Sequence, residues 1–192
     1  IVENRIVPDD LEQMKASFKK AKADIIVTIG GASVGDHDLV RPALDAAGAN
    51  LDFWKVAMRP GKPVTAGKLG DTVVLGLPGN PVAAFVCFLL YVRQILLRMQ
   101  GANWQEPVRF PVKAAFALKS KKPDRREFLR GILRRDASGE LCVSKFERDG
   151  SGLITGLRDA DGLIEIEEAV TSLQLGSPVS FIPFSEFGLN SR

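Results

Sequence analysis

The sequence is poor in the residues that build metal and nucleophile sites. It has one histidine and two cysteines in 192 residues. His37 alone gives little to build a zinc centre or a Ser-His-Asp triad from, and it reads as a solvent-facing loop residue. Cys87 and Cys142 are too far apart in sequence to suggest a metal-ligand pattern or a disulfide framework, and both read as buried thiols. Long hydrophobic runs are also lacking. The longest, Val82–Val92, is shorter than the roughly 20 residues a spanning helix needs. No basic leader with a small-residue cleavage site opens the sequence, so the expected compartment is the cytoplasm and no membrane partner is expected. The net charge of +3 is too small and too evenly spread to argue for nucleic acid by itself.

What is present is a globular composition, 45% hydrophobic and 26% charged, enough to bury a core in one domain or two small ones. The chain is organised around residues 24–38. Ile25–Ile29 is an apolar run without polar alternation, the pattern of a strand covered on both faces of a parallel sheet. Gly30, Gly31 and Gly35 follow, letting backbone N–H groups approach an anion, and Asp38 is placed to cap the next helix. Many strand-to-helix turns use glycine for geometry alone. This one is neither a dinucleotide fingerprint nor a Walker loop.

Before it, Asp9 or Asp10 caps a helix from Leu11 to about Lys22, whose lysines form a solvated face. After it, a helix runs from about Leu39 to Ala47 and stops at Gly48. Leu51–Ala57 reads as a strand delivering Lys55 and the loop Met58-Arg59-Pro60-Gly61-Lys62-Pro63. Two prolines stiffen this corner, so Arg59 and Lys62 read as part of an oxyanion or phosphate clamp. Residues 64–67 and 72–77 form a hairpin with Gly70-Asp71 in its turn. The second strand ends in Gly76-Leu77-Pro78-Gly79-Asn80-Pro81, where Asn80 is an N-cap and Pro81 a first helical residue. The helix that follows, to about Gln100, is apolar nearly all round and should be buried. From Val108 onward short β segments alternate with turns, suggesting a small barrel or sandwich. Residues 113–135 hold nine basic and two acidic residues, which raises nucleic-acid binding as a rival. With only Phe116 and Phe128 as aromatic support, edge-strand solubility is the preferred reading.

Taken together, GGASVGDHD, MRPGKP and GLPGNPVAAF, followed by a β-rich tail with REFLRG and DGSG, resemble the C-terminal half of the molybdopterin molybdenumtransferases, the MoeA and gephyrin E-domain family. The resemblance covers nearly the whole chain. It implies a three-layer α/β molybdopterin-binding domain with a mostly parallel sheet over residues 1–101, its first strand truncated, and a small all-β barrel over 102–192. It further implies a fragment of an enzyme that inserts molybdate into adenylylated molybdopterin with release of AMP. By position, Asp9 and Asp38 match acidic residues near a divalent metal, taken as Mg²⁺. Lys55, Arg59 and Lys62 match the cationic loop, with Arg59 where some members have Lys. Gly30, Gly31, Ser33, Gly35, Pro78, Gly79, Asn80 and Pro81 match the ligand loops, and Arg125 and Ser151 match barrel residues at the molybdate. Asp124 stands where a glycine is common and Asp161 where an asparagine is common. A homodimer is expected and nucleic acid is not. The alternatives are a molybdopterin adenylyltransferase and a non-catalytic dimerisation or peptide-binding scaffold.

Overall fold

The computed structural model describes residues 1–31, 39–53, 55–147 and 154–189. In chain order its elements are α1 (Leu11–Lys20), β1 (Ile25–Ile29), α2 (Val40–Ala47), β2 (Asn50–Phe53), β3 (Met58–Arg59), β4 (Thr65–Leu69) and β5 (Thr72–Leu77). Next come α3 (Pro81–Cys87), a π-helical turn Phe88–Val92, α4 (Arg93–Met99), β6 (Phe110–Ala114), β7 (Arg126–Arg135) and β8 (Leu141–Lys145). The chain ends through α5 (Thr155–Arg158), β9 (Gly162–Ile166), β10 (Pro178–Pro183) and a 3₁₀ turn Phe184–Phe187. It divides into two compact units, residues 1–56 with 61–88, and residues 57–60 with 89–192.

In the first unit Asp10, rather than Asp9, caps α1, its carboxylate accepting from the Gln13 N–H at 2.8 Å. Met14 and Phe18 on α1 bury against Val40, Ala43 and Leu44 of α2 and Val74 of β5. Gly48 closes α2 in the left-handed conformation at φ +95°. The sheet runs β1-β5-β4-β2. It is mixed, which corrects the expectation of a mostly parallel sheet: β1 and β5 are parallel, whereas β5–β4 and β4–β2 are antiparallel. The Gly70-Asp71 turn reverses the chain, and a hairpin can only be antiparallel. Nor is β1 covered on both faces among the described residues. It is an edge strand whose Val27 and Ile29 are 40% and 69% exposed.

The expected strand 51–57 stops at Phe53, and the chain next pairs at Met58–Arg59 in the second unit. There β7, β8, β6, β10 and β9 form a ring closed by β7–β9 pairing, a five-stranded barrel, with β3 added in parallel on the start of β7. Ring pairs are antiparallel except β6–β8. Val112, Ala114, Val143, Ile164, Ile166, Val179 and Phe181 fill it. Gly131 makes room for that core, since a Cβ there would lie 2.8 Å from both Ile164 and the Phe181 ring. Asp161 latches the barrel, accepting from the Leu133 N–H at 2.8 Å while its own N–H donates to the Gly131 carbonyl at 2.8 Å.

The apolar helix is realised as α3, the π turn and α4, a 19-residue rod from Pro81 to Met99. Its bounds agree with the expected helix to about Gln100, and its length and composition alone would suit a bilayer. Val82, Ala83, Ala84, Val86, Cys87, Leu89 and Val92 are all buried, the signature of a core helix.

Candidate functional site

Two loops meet at the C-terminal ends of the parallel strands. The Gly30 N–H donates to the Leu77 carbonyl at 3.0 Å, extending the β1–β5 ladder by one step. Gly30 and Gly31 then take positive φ, +92° and +64°. Gly79 faces Gly30 backbone to backbone: a Cβ on Gly79 would sit 3.2 Å from the Gly30 Cα. Pro78 behind it is buried while Gly79 and Pro81 are exposed. Asn80 has the extended backbone of an N-cap and its side chain accepts from the Ala83 N–H at 3.4 Å, with Pro81 as first helical residue. The result is an exposed, glycine-walled corner beside the positive end of a long helix, the arrangement that admits an anion where strands of an α/β sheet end. Ser33, Gly35, His37 and Asp38 lie outside the described residues.

The cationic loop is a closed corner, in keeping with its two prolines. The Lys62 carbonyl accepts from the N–H groups of Val56 at 3.0 Å and Val64 at 3.1 Å, and the Arg59–Pro60 peptide is cis. The Cys87 thiol points at the Gly61 carbonyl at 3.9 Å, and burial pushes this thiol up to about 12. Lys55 and Lys62 are exposed members of the first unit, whereas Arg59 belongs to the second.

In the second unit Arg59 is the direct cross-strand partner of Glu127. Glu127 is 5% exposed. Its Oε1 accepts from Arg125 Nε at 2.9 Å and Nη2 at 2.7 Å, with Arg59 Nη1 at 3.8 Å. The turn before Arg125 is shaped by Asp124 at φ +64°, a conformation that glycine takes without cost. Buried Lys121 grips the same turn, its Nζ donating to the carbonyls of Arg125 at 2.7 Å, Lys122 at 3.2 Å and Glu168 at 3.2 Å. Beside it, Glu165 accepts from Arg109 Nε at 2.6 Å and Arg126 Nη1 at 2.7 Å. Arg126 also bonds Glu168, which holds that carboxyl below its ordinary value. Ser151 lies outside the described residues.

Sequence reasoning missed Glu127, Glu165 and Lys121. A signal existed for the first: on a strand, residues two apart share a face, so Arg125 and Glu127 were candidates to meet. Nothing local marks Glu165 or Lys121. The basic stretch 113–135 is largely engaged internally, with Lys113 on Glu140, Arg125 on Glu127, Arg126 on Glu165 and Glu168, and Arg130 over the Phe146 ring at 4.5 Å.

For a divalent cation, Asp9 is exposed and is the only described member of the expected pair. Among the described residues there is no group of three or more His, Cys, Asp or Glu side chains able to hold a metal.

Residues 1–98 match a family model described as a probable molybdopterin binding domain, and residues 111–184 one described as the MoeA C-terminal region, domain IV. Fold and loops thus define a molybdopterin-binding α/β unit followed by a MoeA-type barrel. The molybdopterin molybdenumtransferase of Haemophilus influenzae is 32% identical over 188 residues, 96% of this chain and 46% of that protein. The Bacillus subtilis protein of the same name is 31% identical over 186 residues, 94% of this chain and 42% of its own. The crystal structure of the molybdopterin biosynthesis MoeA protein from Pyrococcus horikosii superposes with a TM-score of 0.74 at 32% identity, covering 93% of this chain and 42% of that one. The chain belongs to the MoeA family of molybdopterin molybdenumtransferases. It spans less than half the length of these relatives.

Proposed function

We propose that this chain supplies the molybdopterin-binding and barrel portions of an enzyme that inserts molybdate into adenylylated molybdopterin and releases AMP. The observation that carries the reading is the backbone contact of Gly30 with Gly79 at the ends of β1 and β5, beside the Asn80-capped helix. Substrate phosphates and molybdate are oxyanions, and backbone N–H groups, a helix N-terminus and guanidinium groups are their natural partners. Gly30, Gly31, Ser33 and Gly35, with Pro78, Gly79, Asn80 and Pro81, line the molybdopterin nucleotide. Lys55, Arg59 and Lys62 hold its phosphates, and Arg125 and Ser151 hold molybdate. No covalent nucleophile is required. Donors fixed before the substrate arrives stabilise the charge that develops as the AMP linkage breaks. Mg²⁺ held by Asp9 and Asp38 would neutralise phosphate charge.

The domain boundary is placed at 101/102, the protein is a cytoplasmic homodimer, and neither membrane nor nucleic acid is a partner. The test is AMP release from adenylylated molybdopterin by the protein that contains this chain. Release that requires molybdate and falls at least about tenfold in Lys62→Ala supports the reading. AMP transfer from ATP to molybdopterin, with no use of molybdate, would instead mark an adenylyltransferase. A protein that binds no molybdopterin species would leave a scaffold.

A further inference from the structure

The arginine proposed to meet molybdate does not stand alone, and its mounting is unusual in its charge. Arg125 directs Nε and Nη2 at one oxygen of Glu127, and Arg59 reaches the same oxygen from the neighbouring strand. Glu127 is nearly fully buried on β7. Its position is set by the barrel: it pairs across to Arg59 on one side and to Ile166 of β9 on the other. The Arg125 main chain is fixed as well, because buried Lys121 donates to the Arg125 carbonyl at 2.7 Å. A guanidinium carries five N–H donors in a rigid fork, so engaging the Nε and Nη2 edge aims the remaining donors in one direction.

We infer that Glu127 is the positioning residue of the molybdate site, orienting Arg125 for the tetrahedral anion. This rests on the placement of molybdate at Arg125 proposed above. Its consequence runs against charge counting. A buried carboxylate beside an anion site repels the anion, so counting charges alone says that its removal strengthens molybdate binding. Positioning says the reverse. Without Glu127 the Arg125 fork rotates freely, and the bound anion must meet the entropic cost of fixing it.

The test uses the Arg125 Nε–H signal in ¹⁵N NMR spectra of the chain, with molybdate added in the presence of AMP. In the wild type this proton exchanges slowly and its signal shifts as molybdate binds. Glu127→Gln keeps the shape and removes the charge. It should speed the exchange and weaken molybdate binding by about tenfold, the scale of one lost charge-assisted hydrogen bond. Glu168→Gln, which removes a carboxylate from Arg126 and leaves Arg125 alone, should bind as the wild type does. Should Glu127→Gln not fold, Glu127→Asp keeps the charge, shortens the reach and should show the same weakening. Unchanged or tighter molybdate binding in the Glu127 variants, with the Arg125 signal unmoved, overturns the inference. A wild-type Arg125 signal that ignores molybdate overturns the placement of molybdate there, and this inference with it.

Discussion

The two compact units mount their candidate anion-binding groups differently. In the first, main chain forms the wall, Gly30 against Gly79 and the start of the Asn80-capped helix, and the charged groups Lys55 and Lys62 stay exposed. In the second the groups are side chains: Arg125 and Arg59 on Glu127, Arg109 and Arg126 on Glu165, and Lys121 across three carbonyls. A main-chain site is limited by volume: a Cβ on Gly79 would press on the Gly30 Cα at 3.2 Å. A side-chain site is limited by partnership, because a buried charge without its counterpart is costly.

Glu165→Ala should have the largest effect. It strips two arginines of a shared buried acceptor and is expected to cost about 2–3 kcal/mol, a fall in Tm of roughly 5–10 °C by thermal denaturation. A loss within error would mean that the barrel's buried charges contribute nothing and would break the contrast. In the first unit the counterpart is a helix cap. Asp10→Ala removes the acceptor of the Gln13 N–H and should cost about 1 kcal/mol in urea denaturation. A smaller change is expected from acid. The Glu168 carboxyl is held low by hydrogen bonds from Arg126, so its stabilisation is present above the ordinary carboxylate range and is lost as pH falls through the lowered folded value. Barrel unfolding followed by tryptophan-independent far-UV signal below about pH 4.5 should therefore be less steep in Glu168→Gln. Smallest of all, Asp124→Gly relieves a left-handed aspartate and should change stability by no more than about 1 kcal/mol, in the stabilising direction.

What could be read from the sequence follows the same division. Asn80 with Pro81, Gly48 after α2 and the Gly70-Asp71 hairpin carry their geometry in their own residue types, and the structure places each where the local chemistry put it. Spaced short strands likewise announced a barrel or a sandwich, and the family resemblance chose the barrel. The parallel sheet did not follow, because an apolar run such as Ile25–Ile29 reports burial and says nothing of its neighbours' direction. Even burial failed at Ile29, since edge position is a property of the sheet and not of the strand. The loop 58–63 read as a single clamp, yet the β3–β7 pairing draws Arg59 into the barrel unit. Glu165 and Arg109 are joined by the barrel register across 56 residues, a distance over which no spacing rule operates.

The most direct test of the glycine-walled corner is a calorimetric titration of adenylylated molybdopterin into the wild-type chain and into Gly79→Val, whose side chain would intrude on Gly30. The wild type is expected to bind, and a Gly79→Val chain that is still folded to bind at least about tenfold more weakly, roughly 1.4 kcal/mol. Equal affinity in the two chains would contradict that expectation, because the nucleotide would then not use the glycine-walled corner.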